Sequence, residues 1–91
     1  MTFRFWTKQG YFEGKQPVGT IVHREDGPAM ITDDGSKFWC YEGRYHRLDG
    51  PAVNMSWGKK RWFIFNTLLS EEEWEANRHH DLAYLKLKYW E

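Results

Sequence analysis

The chain has 91 residues, 13 basic and 13 acidic side chains, and a single cysteine, Cys40. One thiol cannot form an intrachain disulfide, which excludes a disulfide-stapled secreted scaffold, and the zero net charge argues against non-specific nucleic-acid binding. Aromatic residues make up 19% of the chain, and we expect these rings to enlarge the small core of one short domain. No segment has the pattern of a signal peptide or a membrane span, so we expect a cytoplasmic protein without stable membrane insertion.

Residues 3–22 are predicted to form a degenerate first repeat. The spacing of Phe5-Trp6 and Gly10 returns at residues 38–43, but ten additional residues, 11–20, separate it from the motif that follows. We expect this insertion to be a loop or an added hairpin at one edge of a sheet.

The motif HREDGPA at residues 23–29 returns as HRLDGPA at residues 46–52. Aligning residues 23–43 with residues 46–66 keeps one constant register, which indicates an internal duplication. The identical pairs are His23/His46, Arg24/Arg47, Asp26/Asp49, Gly27/Gly50, Pro28/Pro51, Ala29/Ala52, Gly35/Gly58, Lys37/Lys60 and Trp39/Trp62.

Each copy, 23–45 and 46–66, is predicted to form a β-hairpin. In the first copy a short apolar run leads into Asp33-Asp34-Gly35, a turn sequence, and the aromatic strand 37–41 ends at Glu42-Gly43. The second copy repeats this plan with a turn at Trp57-Gly58 and a strand ending near Asn66. Hairpins stacked at a fixed period predict an elongated antiparallel sheet.

The order of elements in DGSKFWCYEGRYH, residues 34–46, resembles the MORN repeat. That family has one β-hairpin per repeat and Asp-Gly-x-x-Tyr, Trp-x-x-Gly and Gly-x-x-His-Gly-x-Gly elements. This chain departs from the family where His-Gly-x-Gly becomes His-Arg-x-Asp-Gly-Pro-Ala, a variant similar to the MORN-like repeats of small bacterial and phage proteins. The resemblance covers residues 20–66, and residues 3–19 loosely; it implies a hairpin fold and a scaffold or contact role.

Residues 70–90 are predicted to be a C-terminal helical cap. Ser70 and Glu73 form a capping-box pattern, which predicts a helix from about Glu71 to at least His80. Residues 82–90 fit either a helical face or an alternating strand, and we favour the helix. The fold class is therefore mainly β (α+β), with the sheet and its cap in one domain of residues 1–91.

The repeated motif allows a chemical and a structural interpretation. A His and an Asp three residues apart could be an acid–base dyad, and four histidines with several aspartates could bind a metal. Asp-Gly-Pro is, however, a turn sequence, and an element that recurs once per repeat is typical of a structural corner. We therefore expect no catalytic residues, no metal site and no cofactor.

The strand aromatics are the predicted contact surface. Neighbouring strand residues face opposite sides, so Trp39 and Tyr41 share a face, and Trp62 lies opposite Phe63 and Phe65. One helix can cover only one face, which predicts an uncovered row of rings. The candidate binding residues are Trp6, Trp39, Tyr41, Arg44, Arg47 and Trp62.

These features favour a non-catalytic protein–protein interaction module. The resemblance to bacterial and phage repeats makes the concrete version an accessory protein that inhibits or modulates a host protein, such as a defence-system component. A homodimer is compatible with the zero net charge. The alternatives are a nucleotide-binding or sequestering protein, with rings stacking on bases and arginines on phosphate, and a membrane-surface contact module.

Overall fold

The structure is a computed structural model that describes residues 3–90. Residues 1, 2 and 91, which the predicted domain includes, lie outside this part. The described elements are β1 (Phe3–Thr7), β2 (Gly10–Gly14), β3 (Met30–Ile31), β4 (Lys37–Phe38), β5 (Cys40–Tyr41), β6 (Arg44–Tyr45), β7 (Val53–Asn54), β8 (Lys60–Ile64), β9 (Thr67–Leu69), α1 (Glu71–Asn77) and α2 (Leu82–Tyr89).

An antiparallel sheet of seven strands forms the body of the fold, in the order β2-β1-β3-β4-β7-β8-β9. Strands β5 and β6 pair separately as a small hairpin. The described residues extend over 36 × 29 × 20 Å. The predicted mainly β architecture with a C-terminal helical segment is confirmed.

The ten-residue insertion supplies the added hairpin at the sheet edge. Strand β2 begins at Gly10 and pairs along its whole length with β1, with Phe5 opposite Phe12. Among residues 3–90, β2 pairs only with β1, so it is one of the two edge strands of the seven-stranded sheet.

The predicted strand 37–41 is divided at Trp39 into β4 and β5. Before Trp39 the chain pairs with β3 and β7 of the large sheet, and after it Cys40 pairs with Tyr45 of β6. The equivalent segment of the second repeat runs without interruption through Trp62 as β8.

The two repeats end in equivalent left-handed turns. Glu42 and Gly43 have φ values of 47° and 78°, and Phe65 and Asn66 have values of 44° and 70°. Both central residues have positive φ, as in the turns that match the twist of a hairpin. The predicted facing of Phe65 is wrong. Because Phe65 lies in this turn and does not continue the strand, its side chain packs in the same core cluster as Ile64.

The core consists of two clusters along the sheet. The first contains Phe5, Val22, Ala29 and Cys40. The second contains Ile64, Phe65, Trp74 and Leu85, so both helices cover the end formed by the second repeat. The helical cap therefore covers the Trp62 and Ile64 side, a choice that strand alternation alone left open.

The cap is two short helices. Ser70 caps α1 by accepting the amide of Glu73 at 3.1 Å, as the capping box predicts. The predicted continuation to His80 is wrong, because α1 ends at Asn77 and Asp81 starts α2 by accepting the amide of Tyr84 at 2.8 Å. Residues 82–89 are helical, as favoured, and the strand alternative is wrong.

Candidate functional site

Arg47 holds the corner of the second repeat together. Its Nε donates to Asp49 at 2.8 Å and its Nη1 donates to the carbonyl of Pro51 at 3.0 Å. The guanidinium carbon also lies 3.6 Å from the centre of the Trp39 ring. A Cβ added at Gly50 would meet that carbon at 2.7 Å, so the guanidinium is packed closely against both the ring and the glycine backbone.

Arg24 repeats this arrangement in the first corner. It donates to Asp26 at 3.0 Å and to the carbonyl of Pro28 at 3.2 Å, and it lies 4.1 Å from the centre of the Trp6 ring. The two sequence repeats therefore make equivalent contacts. In each, the arginine forms hydrogen bonds within its own turn and packs on a tryptophan of the preceding unit.

The two motif histidines bind backbone amides. His23 Nδ1 accepts the amide of Glu42 at 2.9 Å, and His46 Nδ1 accepts the amide of Phe65 at 3.1 Å. Each amide belongs to the first left-handed residue of a hairpin turn. In both corners the imidazole fixes a turn of the same repeat, which agrees with the structural interpretation of the motif.

In the described residues no motif arginine covers a third tryptophan, Trp62, and α1 covers it instead. The ring of Trp74 lies 4.6 Å from that of Trp62, and its indole Nε1 donates to the carbonyl of Arg47 at 2.8 Å. Arg78 in turn lies 5.2 Å from the Trp74 ring. Helix α1 therefore occupies the position that another repeat corner would take.

The two remaining candidate residues also have internal partners. Tyr41 makes ring contacts with His23, Phe65 and Trp90, and the guanidinium carbon of Arg44 lies 3.6 Å from the centre of the Trp90 ring. All six candidate binding residues are half-buried. The rings thus form no open row, and their contact with a partner stays a prediction.

The structure does bring some candidates together. A groove of about 610 Å³ lies between the two corners, with Trp39, Tyr41 and Arg47 on its wall. Trp6, Arg44 and Trp62 lie outside it. Since Arg24 and Arg47 already bind carboxylates, carbonyls and rings, this groove offers few uncommitted cations to an anionic ligand.

Burial changes the protonation equilibrium of two groups, the His46 imidazole and the Cys40 thiol. Burial lowers the pKa of His46 to about 4 and raises the pKa of the Cys40 thiol to about 12. Both groups are therefore neutral near pH 7. Within residues 3–90, no group of three or more His, Cys, Asp or Glu side chains is placed to hold a metal ion.

Sequence reasoning missed a second groove, of about 650 Å³, at the N-terminal end of the sheet. We call it the N-terminal groove. It lies between the β1–β2 hairpin and the loop that leads to His23, and Phe5, Phe12, Pro17, Thr20, Ile21 and Arg44 are among its lining residues. The adjacent aromatic residues Tyr11 and Phe12 in the insertion were the available signal, because exposed apolar side chains close together are typical of an interaction site.

The apolar surface around this groove is exposed. Among its lining residues, the side chains of Phe12 and Ile21 are large, apolar and exposed, whereas Tyr11 points to the opposite side of β2. A salt bridge from Lys8 to Glu42 forms part of the rim. An apolar patch with a polar rim is typical of an interaction site.

Neither described helix combines the length and the apolar composition that crossing a membrane requires. Comparisons of the chain with protein-family models, with curated proteins and with solved structures gave no match.

Proposed function

We propose that this protein is a non-catalytic protein–protein interaction module and that the N-terminal groove is its principal contact surface. The supporting observation is a groove lined by the exposed side chains of Phe12 and Ile21 and by the buried Phe5, at the end of the sheet that the helices leave uncovered. The partner is a protein that buries an apolar segment there.

The repeated motif supports a non-catalytic role. Its histidines and arginines hold turns and cover rings, so the groups that would otherwise be candidates for acid–base chemistry maintain the fold. The nucleotide-binding alternative has less support, because Arg24 and Arg47 already stack on rings and bind carboxylates.

The nature of the partner rests on the resemblance of the repeats. Motifs of the form His-Arg-x-Asp-Gly-Pro-Ala are similar to those of small bacterial and phage proteins. We therefore propose an accessory protein that modulates or inhibits a host protein by occlusion, for example a component of a defence system.

The test is affinity capture from a bacterial lysate with three immobilised proteins. They are the wild type, Ile21→Asp, which places a charge in the N-terminal groove, and Leu87→Asp, which places the same charge on α2. Ile21 is 61% exposed and Leu87 is 89% exposed, so neither substitution burdens the core. We expect one protein to be retained by the wild type and by Leu87→Asp and to be lost by Ile21→Asp.

Two outcomes contradict the proposal. Capture of no specific protein by the folded wild type removes the interaction function. Equal capture by Ile21→Asp would show that the contact surface lies outside the N-terminal groove.

A further inference from the structure

Within the described part of the chain, no strand pairs with the outer side of β2, which is an open edge of the sheet. Strand β2 has five residues, whereas β9 at the opposite edge has three and packs against α1. An open edge presents backbone donors and acceptors that another strand can pair with.

The hydrogen bonds of β1 show which groups of β2 face outward. Trp6 of β1 donates its amide to Ala29 and accepts the amide of His23, so its polar groups point away from β2. Alternation then makes Phe5 and Phe12 a hydrogen-bonded pair between β1 and β2. The N–H and C=O groups of Tyr11 and Glu13 consequently point toward the open side.

The N-terminal groove lies on the side of the sheet to which Phe12 points. Phe5 and Phe12 both line it, with ring centres 5.7 Å apart. A strand added beside β2 would place the residue opposite Phe12 on this same side, where close side-chain contact is favoured. Gly10 and Gly14 flank that position and leave room for apolar side chains.

The charges around the edge favour an acidic partner. Lys8 precedes β2 and Lys15 follows it, so a cation stands at each end of the strand. Around the edge and groove, Arg4, Lys8, Lys15 and Arg44 outnumber Glu13 and Glu42, which gives a local net charge of +2. Like charges would repel a basic strand.

We propose that β2 pairs with an extended segment of the protein partner that has an apolar centre and acidic ends. The segment continues the sheet in antiparallel orientation, as in every other strand pair of this fold. Its central side chain packs on Phe12 in the N-terminal groove. This inference rests on the proposed function, since it names how that partner docks.

The direct test uses a synthetic probe, the capped peptide Glu-Val-Thr-Ile-Thr-Val-Glu, with the wild-type protein. At near saturation we expect the amide hydrogen exchange of Tyr11 and Glu13 to slow by about tenfold, because both amides gain partners. The Phe12 amide already faces β1 and should change little. The same peptide with lysine in place of both glutamates is the charge control and should bind more weakly.

A pair of variants at one position isolates the backbone. Glu13→Pro removes the outward N–H, and proline is tolerated on an edge whose N–H faces solvent. Glu13→Ala removes the same carboxylate and keeps the N–H. We expect Glu13→Pro to bind the peptide about tenfold more weakly than Glu13→Ala. Thermal unfolding of both variants shows whether the proline has unfolded the hairpin, and the exchange measurement on the wild type does not depend on that result.

Unchanged exchange at Tyr11 and Glu13, or equal binding of the lysine peptide, overturns the inference. Failure of the inference differs from failure of the proposed function. A lysate protein that is lost by Ile21→Asp but is bound equally by Glu13→Pro and Glu13→Ala keeps the function and removes the edge pairing. Slowed exchange with the peptide, together with no captured protein, keeps the edge pairing and removes the proposed function.

Discussion

The guanidinium carbon of Arg47 lies 3.6 Å from the centre of the Trp39 ring, although the two residues belong to successive repeats. Arg24 and Trp6 form the same contact at 4.1 Å one repeat earlier. Each contact joins a corner to the strand of the preceding unit. The arginine that the sequence presents as a possible phosphate ligand is therefore a connection between neighbouring hairpins.

Gly50→Ala should destabilise the protein by displacing Arg47. The added Cβ would meet the guanidinium carbon at 2.7 Å, and the side chain would have to leave its ring and hydrogen bonds. We expect a loss of about 1–2 kcal/mol in the free energy of unfolding, measured by urea denaturation.

A double-mutant cycle identifies the cause of that loss. In an Arg47→Ala background the same Gly50→Ala substitution should cost little, because no guanidinium remains to be displaced. An equal cost in both backgrounds would show that the effect is on the backbone and would contradict the packing explanation.

The free energy of unfolding should decrease as the pH is lowered, because His46 titrates. Burial lowers the folded-state pKa from its usual 6.5 to about 4, so the unfolded state binds the proton first. The contribution is fully present above pH 6.5, and it is lost as the pH falls from there toward 4. Because each pH unit between these two values changes the free energy of unfolding by about 1.4 kcal/mol, we expect a loss on the order of 2 kcal/mol between pH 6.5 and pH 5.

Urea denaturation at several pH values between 7.5 and 5 measures this slope. His46→Gln removes the titrating group and should flatten the curve in this range. A slope that persists in His46→Gln would assign the pH dependence to other groups.

Trp74→Ala should be among the most damaging single substitutions in the helical cap. The side chain is 5% exposed, packs on Trp62 and donates its indole N–H to the carbonyl of Arg47. We expect a loss of about 3–5 kcal/mol. The measurement is chemical denaturation with Leu87→Ala as the control, because Leu87 lies on the exposed side of α2.

Trp74→Phe separates packing from hydrogen bonding at this position. It keeps a ring against Trp62 but leaves the Arg47 carbonyl without its indole donor, so an intermediate loss of about 1–3 kcal/mol is expected. A near-wild-type stability for Trp74→Ala would refute the view that α1 substitutes for a further repeat corner.

Local signals in the sequence predicted much of the backbone. The constant register between residues 23–43 and 46–66 predicted equivalent units, and the histidine and arginine contacts are equivalent in both. Ser70 predicted the start of α1 because an N-cap hydroxyl acts on an amide three residues away. The arginine and N-cap interactions join residues within four positions of each other, so the sequence displays both partners together.

The alternation of strand residues predicted less of the surface. It assigned Phe65 to the wrong side, because the residue takes a left-handed conformation in a turn rather than continuing β8. It also treated Trp39 and Trp62 as parts of one open row, whereas an arginine covers the first and a helical tryptophan covers the second.

Local sequence patterns are sufficient to predict the repeat, its turns and the start of α1 at Ser70, since turns and caps are specified by residues a few positions apart. The rings that the arginines cover, the side of the sheet that the helices take and the apolar groove beside β2 became apparent only in the folded chain. These features depend on contacts between residues far apart in the chain. A local sequence pattern is compatible with several such contacts, and the arrangement of the strands selects one of them.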